Sequence, residues 1–227
     1  MDLAVIGGTG AEGFGLALRL GAAGQRVTIG SRDAARGSEA GARATAMLAS
    51  DAVVRGTGNA EAAAGADVVL VTVPYAGQAE IYGSIKDAVR PGAVVMDATS
   101  PLATAVGGRP WQVVRPWQGS AAEQARSILG DGPRVVAGFH TIAAKELQAL
   151  GHPIESDVLI CGDDAEAKAT VGELIEMIPG LRWVDCGELS MARITETLTA
   201  LLISVNRRYK VPDSGFRIVG RESWGRP

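Results

Sequence analysis

A glycine-rich turn near the start of the chain has the residue types and spacing of a phosphate-binding site. Its residues are Gly8-Thr9-Gly10-Ala11-Glu12-Gly13. Gly8 allows a sharp bend, Gly10 allows the main chain to approach a pyrophosphate, and Gly13 allows the following helix to pack on the preceding strand. The phosphates would lie at the helix N-terminus, where free N–H groups and the helix dipole favour anions. We therefore predict that this turn binds a dinucleotide.

The residues that follow the second predicted strand indicate which dinucleotide binds. A site for NAD normally has Asp or Glu there, which accepts hydrogen bonds from the ribose hydroxyls. This chain instead has Ser31 and Arg32, with Arg36 on the opening turn of the next helix. Two guanidinium groups and a hydroxyl suit a 2′-phosphate, because their hydrogen bonds are charge-assisted and can be bidentate. The pattern predicts NADP(H); the alternative is that both arginines are solvated surface residues.

The elements that must position these two groups alternate along the chain. Apolar strands are predicted at 2–7, 25–30, 52–55, 67–74, 93–99 and 134–140, and helices at 12–23, 33–49, 76–89 and 120–129. Such alternation is typical of a parallel sheet with helices on both faces. We therefore predict an α/β fold with a Rossmann-type doubly wound parallel sheet, whose first strand leads into the glycine-rich turn.

The pattern changes after residue 140. The predicted elements are then helix 142–150, strand 157–161, helix 165–177, strand 181–186 and a long helix 189–209. Asp163 and Glu166 form a capping box for the helix at 165, as Ser120 and Glu123 do for the helix at 120. We divide the chain into an NADP-binding Rossmann domain, 1–140, and a small C-terminal α/β domain, 141–227, which closes the cleft.

The segment 100–119 is rich in Pro, Gly and Trp and has no clear period. It could form a loop over the cleft, since loops of this length in compact domains are usually functional. Trp111 and Trp117 could belong to a lid or to the core, and the sequence does not decide between the two.

Composition and charge exclude several classes of protein. Hydrophobic residues make up 47% of the chain and charged residues 21%, which is ordinary for a globular protein. No run approaches the roughly twenty apolar residues of a membrane span, and the first strand begins at Asp2, which leaves no room for a signal peptide. A net charge of −3 argues against general nucleic-acid binding. We expect a cytoplasmic protein that acts on small molecules, with no membrane or nucleic-acid partner.

Charge is nevertheless distributed unevenly. Residues 188–227 contain seven Lys or Arg and four Asp or Glu, a local balance of +3 on a chain whose net charge is −3. A basic C-terminal region would fit a second anionic ligand, and a solvated helix face is the equal alternative.

The cysteines and histidines do not form a recognisable metal site. Cys161 and Cys186 lie in apolar, strand-like segments without a Cys-x-x-Cys partner, and the remaining ligand candidates are His140 and His152. We predict buried thiols and no metal, because no zinc-binding constellation can be assembled from these positions.

Candidate residues for the reaction lie where parallel strands end. Ligands of doubly wound sheets bind outside these carboxyl ends, which places Thr72, Pro74 and His140 around a nicotinamide. His140 could donate a proton in carbonyl or imine reduction, could position a ligand, or could cap its strand. Tyr82 and Lys86 match the Tyr-x-x-x-Lys pair of short-chain dehydrogenases, but they follow the fourth strand instead of the fifth, and we treat the match as coincidence. Hydride transfer between two heterocyclic carriers needs few acids or bases.

Together these residues resemble the F420-dependent NADP reductases, which exchange hydride between NADPH and an 8-hydroxy-5-deazaflavin coenzyme. The matching pieces are Gly7-Gly8-Thr9-Gly10 with Gly13, Gly30-Ser31-Arg32 with Arg36, Val73-Pro74, His140-Thr141-Ile142, Cys161-Gly162-Asp163-Asp164 and the segment 198–210. The first two pieces occur in other NADP enzymes, and the later ones are more specific. By matched position, Thr9 would join Ser31, Arg32 and Arg36 in holding the 2′-phosphate.

For the second substrate, the resemblance implies a deazaflavin pocket in the cleft between the two domains of a homodimer subunit, with coenzyme F420 over the nicotinamide. His140, Thr141, Ile142 and Ala143 would line this pocket, and Thr197 on the long helix would close it. The phosphate and glutamate tail of F420 is anionic and would pair with the basic C-terminal region. Ala143 departs from the proline of some members, which bears on the shape of the pocket.

We therefore expect an NADP(H)-dependent oxidoreductase that transfers hydride between NADPH and F420. An NADPH-dependent flavin or metal-chelate reductase of similar domain plan would share every N-terminal feature. A carbonyl or imine reductase would require a donor such as His140 or Lys145. A non-enzymatic NADPH sensor would bind the nucleotide without reducing an acceptor.

Overall fold

The computed structural model describes residues 1–48 and 52–220, in which eight strands form one sheet in the order β3-β2-β1-β4-β5-β6-β7-β8. The strands are β1 Asp2–Ile6, β2 Arg26–Ser31, β3 Val54–Gly58, β4 Val68–Val71, β5 Val94–Asp97, β6 Arg134–Ala137, β7 Ser156–Gly162 and β8 Leu181–Asp185. Strands β1 to β6 are parallel. The chain runs out to β3, returns to β4 beside β1 and continues to β6, which is the Rossmann order. The predicted fold class is confirmed.

Helices cover both faces of this sheet. Those in the described residues are α1 Ala11–Ala22, α2 Ala34–Met47, α3 Asn59–Ala64, α4 Tyr75–Ile85, α5 Ala121–Leu129, α6 Ala144–Gln148, α7 Ala165–Glu176, α8 Ala192–Thr195 and α9 Leu198–Tyr209. Leu16 and Leu20 of α1 belong to the core on one face, and Tyr82 and Ile85 of α4 belong to the core on the other. Every residue of β4 and β5 is buried between these layers. Each fully buried aliphatic side chain contributes about 1.5–3 kcal/mol.

The last two strands extend the same sheet. β7 pairs antiparallel with β6, and β8 pairs parallel with β7. The buried carboxylate of Asp157 in β7 accepts hydrogen bonds from Arg182 Nε at 2.6 Å and from the Ile218 N–H at 2.7 Å. The segment after α9 is thereby fixed to the edge of the sheet.

Several predicted element boundaries are wrong. Helix α3 was not predicted, and β6 ends at Ala137 instead of residue 140, because Phe139 has a φ of 64° and cannot continue a strand. Helix α7 is capped by Asp164, which accepts from the Ala167 N–H at 2.7 Å, and not by Asp163. Asp163 instead accepts from the Leu189 N–H at 2.9 Å and pairs with Arg126. The predicted helix 33–49 ends at Met47, and residue 49 lies outside the described residues.

The long helix predicted at 189–209 is also interrupted. It begins as a 3₁₀ turn at Leu189–Met191, continues as α8, and breaks at Glu196 and Thr197 before α9. The Glu196 carboxylate accepts hydrogen bonds from the Ala121 and Ala122 N–H groups of α5, at 2.8 and 2.9 Å. This contact satisfies two of the free N–H donors at the start of α5.

Candidate active site

The glycine-rich turn has the predicted strand–turn–helix context, with one change in the role of its glycines. The left-handed residue is Gly7, with a φ of +80°, and not Gly8. A Cβ on Gly8 would lie 2.8 Å from the Val5 carbonyl oxygen and 2.9 Å from Ile29 Cγ2. Gly8 is therefore required by close packing between β1 and β2, and the bend belongs to Gly7.

The start of α1 is open to an anion. Gly10 is the N-cap residue and provides no side-chain hydrogen bond, so the first N–H groups of α1 lack a capping partner. A Cβ on Gly13 would lie 2.8 Å from Gly8 Cα, so Gly13 allows the helix to pack closely against the turn, where the sequence analysis had expected packing against the preceding strand. Ala11 and Glu12 lie between these glycines on the first turn. The geometry fits a pyrophosphate at this helix end.

A cavity of about 500 Å³ joins the turn to the ends of β2 and β4. The sequence-predicted residues that line it are Thr9, Gly10, Ser31, Arg32, Arg36, Thr72 and Pro74. The structure therefore brings together the two groups of residues that sequence spacing had connected. Glu80 and Asn59 also line the cavity and were not predicted.

The cavity has a cationic end. Arg32 and Arg36 are exposed, and neither forms an ion pair with any residue of 1–48 or 52–220. Asp33, which lies between them, directs its carboxylate to the N-terminus of α2 and accepts from the Ala35 N–H at 2.9 Å. Both guanidinium groups, together with buried Ser31, remain available to a phosphate.

Asn59 is a binding candidate that the sequence analysis missed. It is the first residue of α3, directly after β3, and its buried Oδ1 atom has no hydrogen-bond partner in the described part of the chain. A buried acceptor without a donor is costly, so a ligand hydroxyl or amino group in the cavity would complete it. Asn59 directly follows the carboxyl end of β3. A correct prediction of α3 would therefore have identified Asn59 as a candidate binding residue.

His140 directly follows Phe139, whose left-handed backbone with a φ of 64° turns the chain after β6. It is 7% exposed, and neither ring nitrogen has a hydrogen-bond partner among the residues that the structure describes. Burial lowers the pKa of His140 to about 4, an effect that the nearby Ala98 carbonyl opposes in part. The imidazole is therefore neutral near pH 7 and suits hydrogen bonding to a ligand better than proton donation.

The residues after His140 form a short wall. Thr141 and Ile142 are buried, and Ala143 is the half-buried N-cap residue of α6. Helix α6 packs along α1, and Gln148 Nε2 donates to the Ala11 carbonyl at 2.8 Å. Helix α6, which directly follows the predicted deazaflavin residues, therefore contacts the glycine-rich turn. Thr141, Ile142 and Ala143 themselves line a separate cavity of about 270 Å³.

Helix α9 contacts this wall through Thr199, whereas the role predicted for Thr197 toward the second substrate stays a prediction. Thr199 Oγ1 donates to the His140 carbonyl at 2.7 Å and lies 2.6 Å from Ser100 Oγ. The Thr197 hydroxyl donates to the Ile194 carbonyl at 2.7 Å, inside the helix break. The break between α8 and α9 changes which residues of α9 face His140. A continuous helical pattern in the sequence does not contain this information.

Two buried carboxyl groups, Asp97 and Glu196, and the half-buried carboxyl group of Glu12 have raised pKa values. Burial raises the pKa of Glu12 and Glu196 to about 8 and that of Asp97 to about 6, and the Asp97 charge further raises the other two. Asp97 accepts from Tyr82 Oη at 2.6 Å and Gln78 Nε2 at 2.9 Å. Because Tyr82 is fully buried on Asp97, the Tyr82 hydroxyl has a structural partner and does not form a catalytic pair with exposed Lys86.

Glu12 gives a testable pH dependence. The pKa of Glu12 in the folded state is about 8, against an ordinary value of 4.5. The free energy of unfolding is therefore unaffected by this group below pH 4.5, and it falls as the pH rises from 4.5 through 8. Glu12→Gln should raise the free energy of unfolding by about 1–3 kcal/mol at pH 9 and by less than about 0.5 kcal/mol at pH 5. Urea denaturation of the nucleotide-free protein, with exposed Glu39→Gln as control, measures this. Equal changes at both pH values would contradict it.

The remaining sequence candidates are accounted for in the described residues. Cys161 is buried as predicted, with its Sγ 3.5 Å from Thr195 Oγ1, and Cys186 is half-buried; both are free thiols. Within 1–48 and 52–220 there is no group of His, Cys, Asp or Glu that could hold a metal ion, and no helix has the length and apolarity to cross a membrane. Of the charges in the basic C-terminal region, Arg221, Glu222 and Arg226 lie outside the described residues.

Comparison with known proteins points to one family. The family model described as NADP oxidoreductase, coenzyme F420-dependent, matches residues 2–101. An F420-dependent NADP reductase of Methanothermobacter thermautotrophicus is 44% identical over 96% of this chain and 94% of its own length. The enzyme of that name from Methanocaldococcus jannaschii is 38% identical over 98% of this chain and 100% of its own length. A solved structure from Arthrobacter sp. FB24, assigned as an F420-dependent NADP-reductase, has a TM-score of 0.81 at 26% identity and covers 96% of this chain and 99% of that chain.

Proposed function

The chain belongs to the F420-dependent NADP reductase family, and we propose that it transfers hydride between NADPH and coenzyme F420 in the cleft between the glycine-rich turn and residues 140–143. The observation that carries this proposal is the cavity that places Ser31 and two arginines, neither of which has an ion-pair partner in the described residues, beside the open N-terminus of α1. A nucleotide with both a pyrophosphate and a 2′-phosphate satisfies both ends of this cavity.

We assign the NADPH side of the cleft as follows. The turn Gly8-Thr9-Gly10-Ala11-Glu12-Gly13 would receive the pyrophosphate, and Ser31, Arg32 and Arg36 would receive the 2′-phosphate with help from Thr9. Thr72 and Pro74, at the end of β4, would flank the nicotinamide ribose. Asn59 would bond the adenosine through its unsatisfied Oδ1 atom. NADPH supplies the hydride, and these residues bind and orient it.

The deazaflavin side rests on His140, Thr141, Ile142 and Ala143. A neutral, buried imidazole whose ring nitrogens have no hydrogen-bond partner in the described part of the chain can donate one hydrogen bond to a heterocycle carbonyl and accept another without bringing a charge into the cleft. Thr199 holds the His140 main chain from α9, and Thr197 lies at the break that begins this helix. Two rings held face to face in a dry gap need orientation more than acid catalysis. His140 is therefore a positioning group.

The direct test mixes purified protein with NADPH and F420 and follows the loss of the oxidised deazaflavin absorbance. We expect rapid loss with F420 and none with FMN, FAD or a ferric chelate as acceptor. Reduction of FMN in preference to F420 would favour the flavin-reductase alternative. A steep loss of turnover in Lys145→Ala would favour carbonyl or imine chemistry. Tight NADPH binding without any acceptor turnover would indicate a sensor.

We also propose a homodimer in the cytoplasm, in which residues 1–140 bind the nucleotide and residues 141–227 close the cleft and form the contact between subunits. Supporting the dimer, Met191, Ile194 and Leu201 are exposed apolar residues on the consecutive elements that surround the helix break, and Ile194 is 57% and Leu201 52% exposed. Light scattering should give twice the chain mass. The double variant Ile194→Glu and Leu201→Glu should give the mass of one chain. A monomeric wild type would contradict the dimer.

A further inference from the structure

Two arginines surround Trp111, in the 100–119 segment to which the proposed function gives no role. The Cζ atom of Arg207, from α9, lies 4.2 Å from the Trp111 ring centroid, and that of Arg109 lies 5.5 Å away. Trp111 is half-buried, whereas both arginines are exposed. We refer to Arg109, Trp111 and Arg207 as the cation cluster.

The cation cluster has free hydrogen-bond donors. Across the described ranges, neither Arg109 nor Arg207 forms an ion pair with a carboxylate. Stacking on an indole holds a guanidinium in place while its N–H edge stays available. Two such groups on one ring form a pre-organised receptor for phosphate or carboxylate oxygens.

The fold connects the cation cluster to the proposed deazaflavin wall. The 100–119 segment begins at Ser100, which contacts Thr199, and Thr199 in turn donates to the His140 carbonyl. Arg207 follows Thr199 by two turns of α9, which is about 12 Å along the helix axis. On the other side, the Ala103 N–H donates to the Gln112 carbonyl at 2.8 Å and fixes the Trp111 loop. Helix α9 and the 100–119 segment therefore connect the cation cluster to the residues around His140.

We propose that the cation cluster binds the anionic tail of the deazaflavin coenzyme, an inference that rests on the proposed function. The tail carries a phosphodiester and glutamate carboxylates and is separated from the ring by a ribityl chain. With the ring against residues 140–143, the tail leads out along α9 toward Arg207 and Arg109. The cluster thus distinguishes complete F420 from a deazaflavin nucleoside that lacks the tail.

The test compares the KM values of F420 and of 8-hydroxy-5-deazariboflavin, which has the same ring but no phosphate or glutamates. Arg207→Gln and Arg109→Gln should each raise the KM for F420 about fivefold to tenfold, the loss of one partly exposed charge-assisted contact. The KM for the tail-less compound and kcat should not change. Arg208→Gln is the matched control, because it removes an equal charge from the adjacent exposed residue, which does not contact the Trp111 ring.

Ionic strength gives a second measurement that needs no variant. Raising salt from about 50 to 200 mM should increase the wild-type KM for F420 and leave that of the tail-less compound unchanged, because exposed charge attraction is screened. Equal rises for both compounds in Arg207→Gln, or no rise for either, would overturn the proposed tail site. If wild-type protein and NADPH reduce neither compound, the proposed function itself has failed.

Discussion

Replacing both Arg32 and Arg36 with alanine should raise the KM for NADPH by about a hundredfold and change the KM for NADH by less than about twofold. Each guanidinium removed takes away charge-assisted hydrogen bonds that NADPH alone can use, because NADH has no 2′-phosphate. Arg32 and Arg36 line the same cavity as Ser31, and neither has a carboxylate partner within the described residues. The loss should appear in kcat/KM, with kcat for saturating NADPH nearly unchanged.

The control for this double variant is Arg26→Ala. Arg26 is at the opposite end of β2 and forms an exposed ion pair with Asp2 at 2.6 Å. A fully exposed ion pair contributes little to stability and lies away from the cavity, so this variant should bind both nucleotides like the wild type. If the Arg32 and Arg36 double variant raises the KM values for NADH and NADPH equally, the arginines support the fold and do not bind the 2′-phosphate.

Replacing Arg19 with methionine should lower the free energy of unfolding by about 3 kcal/mol, because it leaves buried carbonyls without donors. Arg19 is 4% exposed on α1. Its guanidinium donates to the carbonyls of Glu146 at 2.8 Å, Leu147 at 3.1 Å and His152 at 3.1 Å, and also to that of Ala149. The Arg19 guanidinium, which belongs to α1, therefore satisfies carbonyl groups at the end of α6.

The same substitution should affect the deazaflavin side of the reaction. Helix α6 directly follows His140 to Ala143, so loosening its end should raise the KM for F420 more than that for NADPH. Urea denaturation and steady-state kinetics measure both effects, with Arg26→Met as a control that should leave the free energy of unfolding nearly unchanged. An unfolding free energy equal to that of the wild type would show that Arg19 is not a clamp between α1 and α6.

The nucleotide half of the site could be predicted from sequence because its requirements are local. The glycines of the turn, the arginines after β2 and Pro74 after β4 each follow a strand whose apolar pattern is clear, and parallel strands bring their carboxyl ends to one edge. The cavity lined by Thr9, Ser31 and Arg32 is the direct consequence. Even here, Gly7 and not Gly8 adopts the left-handed conformation.

The second half of the site depends on contacts between distant residues, which a local pattern does not contain. Glu196 ends α8 by binding the start of α5, so the helix predicted at 189–209 breaks, and Thr199 on α9 contacts the His140 carbonyl. Phe139 turns the chain after β6, and burial of the next residue, His140, lowers the pKa of its imidazole to about 4, so the ring is neutral. Burial sets these properties, and burial follows from the tertiary fold.

Transfer of an isotope label tests the central claim most directly. Protein should be incubated with F420 and NADPH carrying two deuterium atoms at nicotinamide C4, and the reduced deazaflavin should be analysed by mass spectrometry. If hydride passes directly between the two rings in the cleft, the reduced F420 gains one deuterium at C5, even in ordinary water. Reduced F420 without the label, or no reduced F420 at all, would contradict the account.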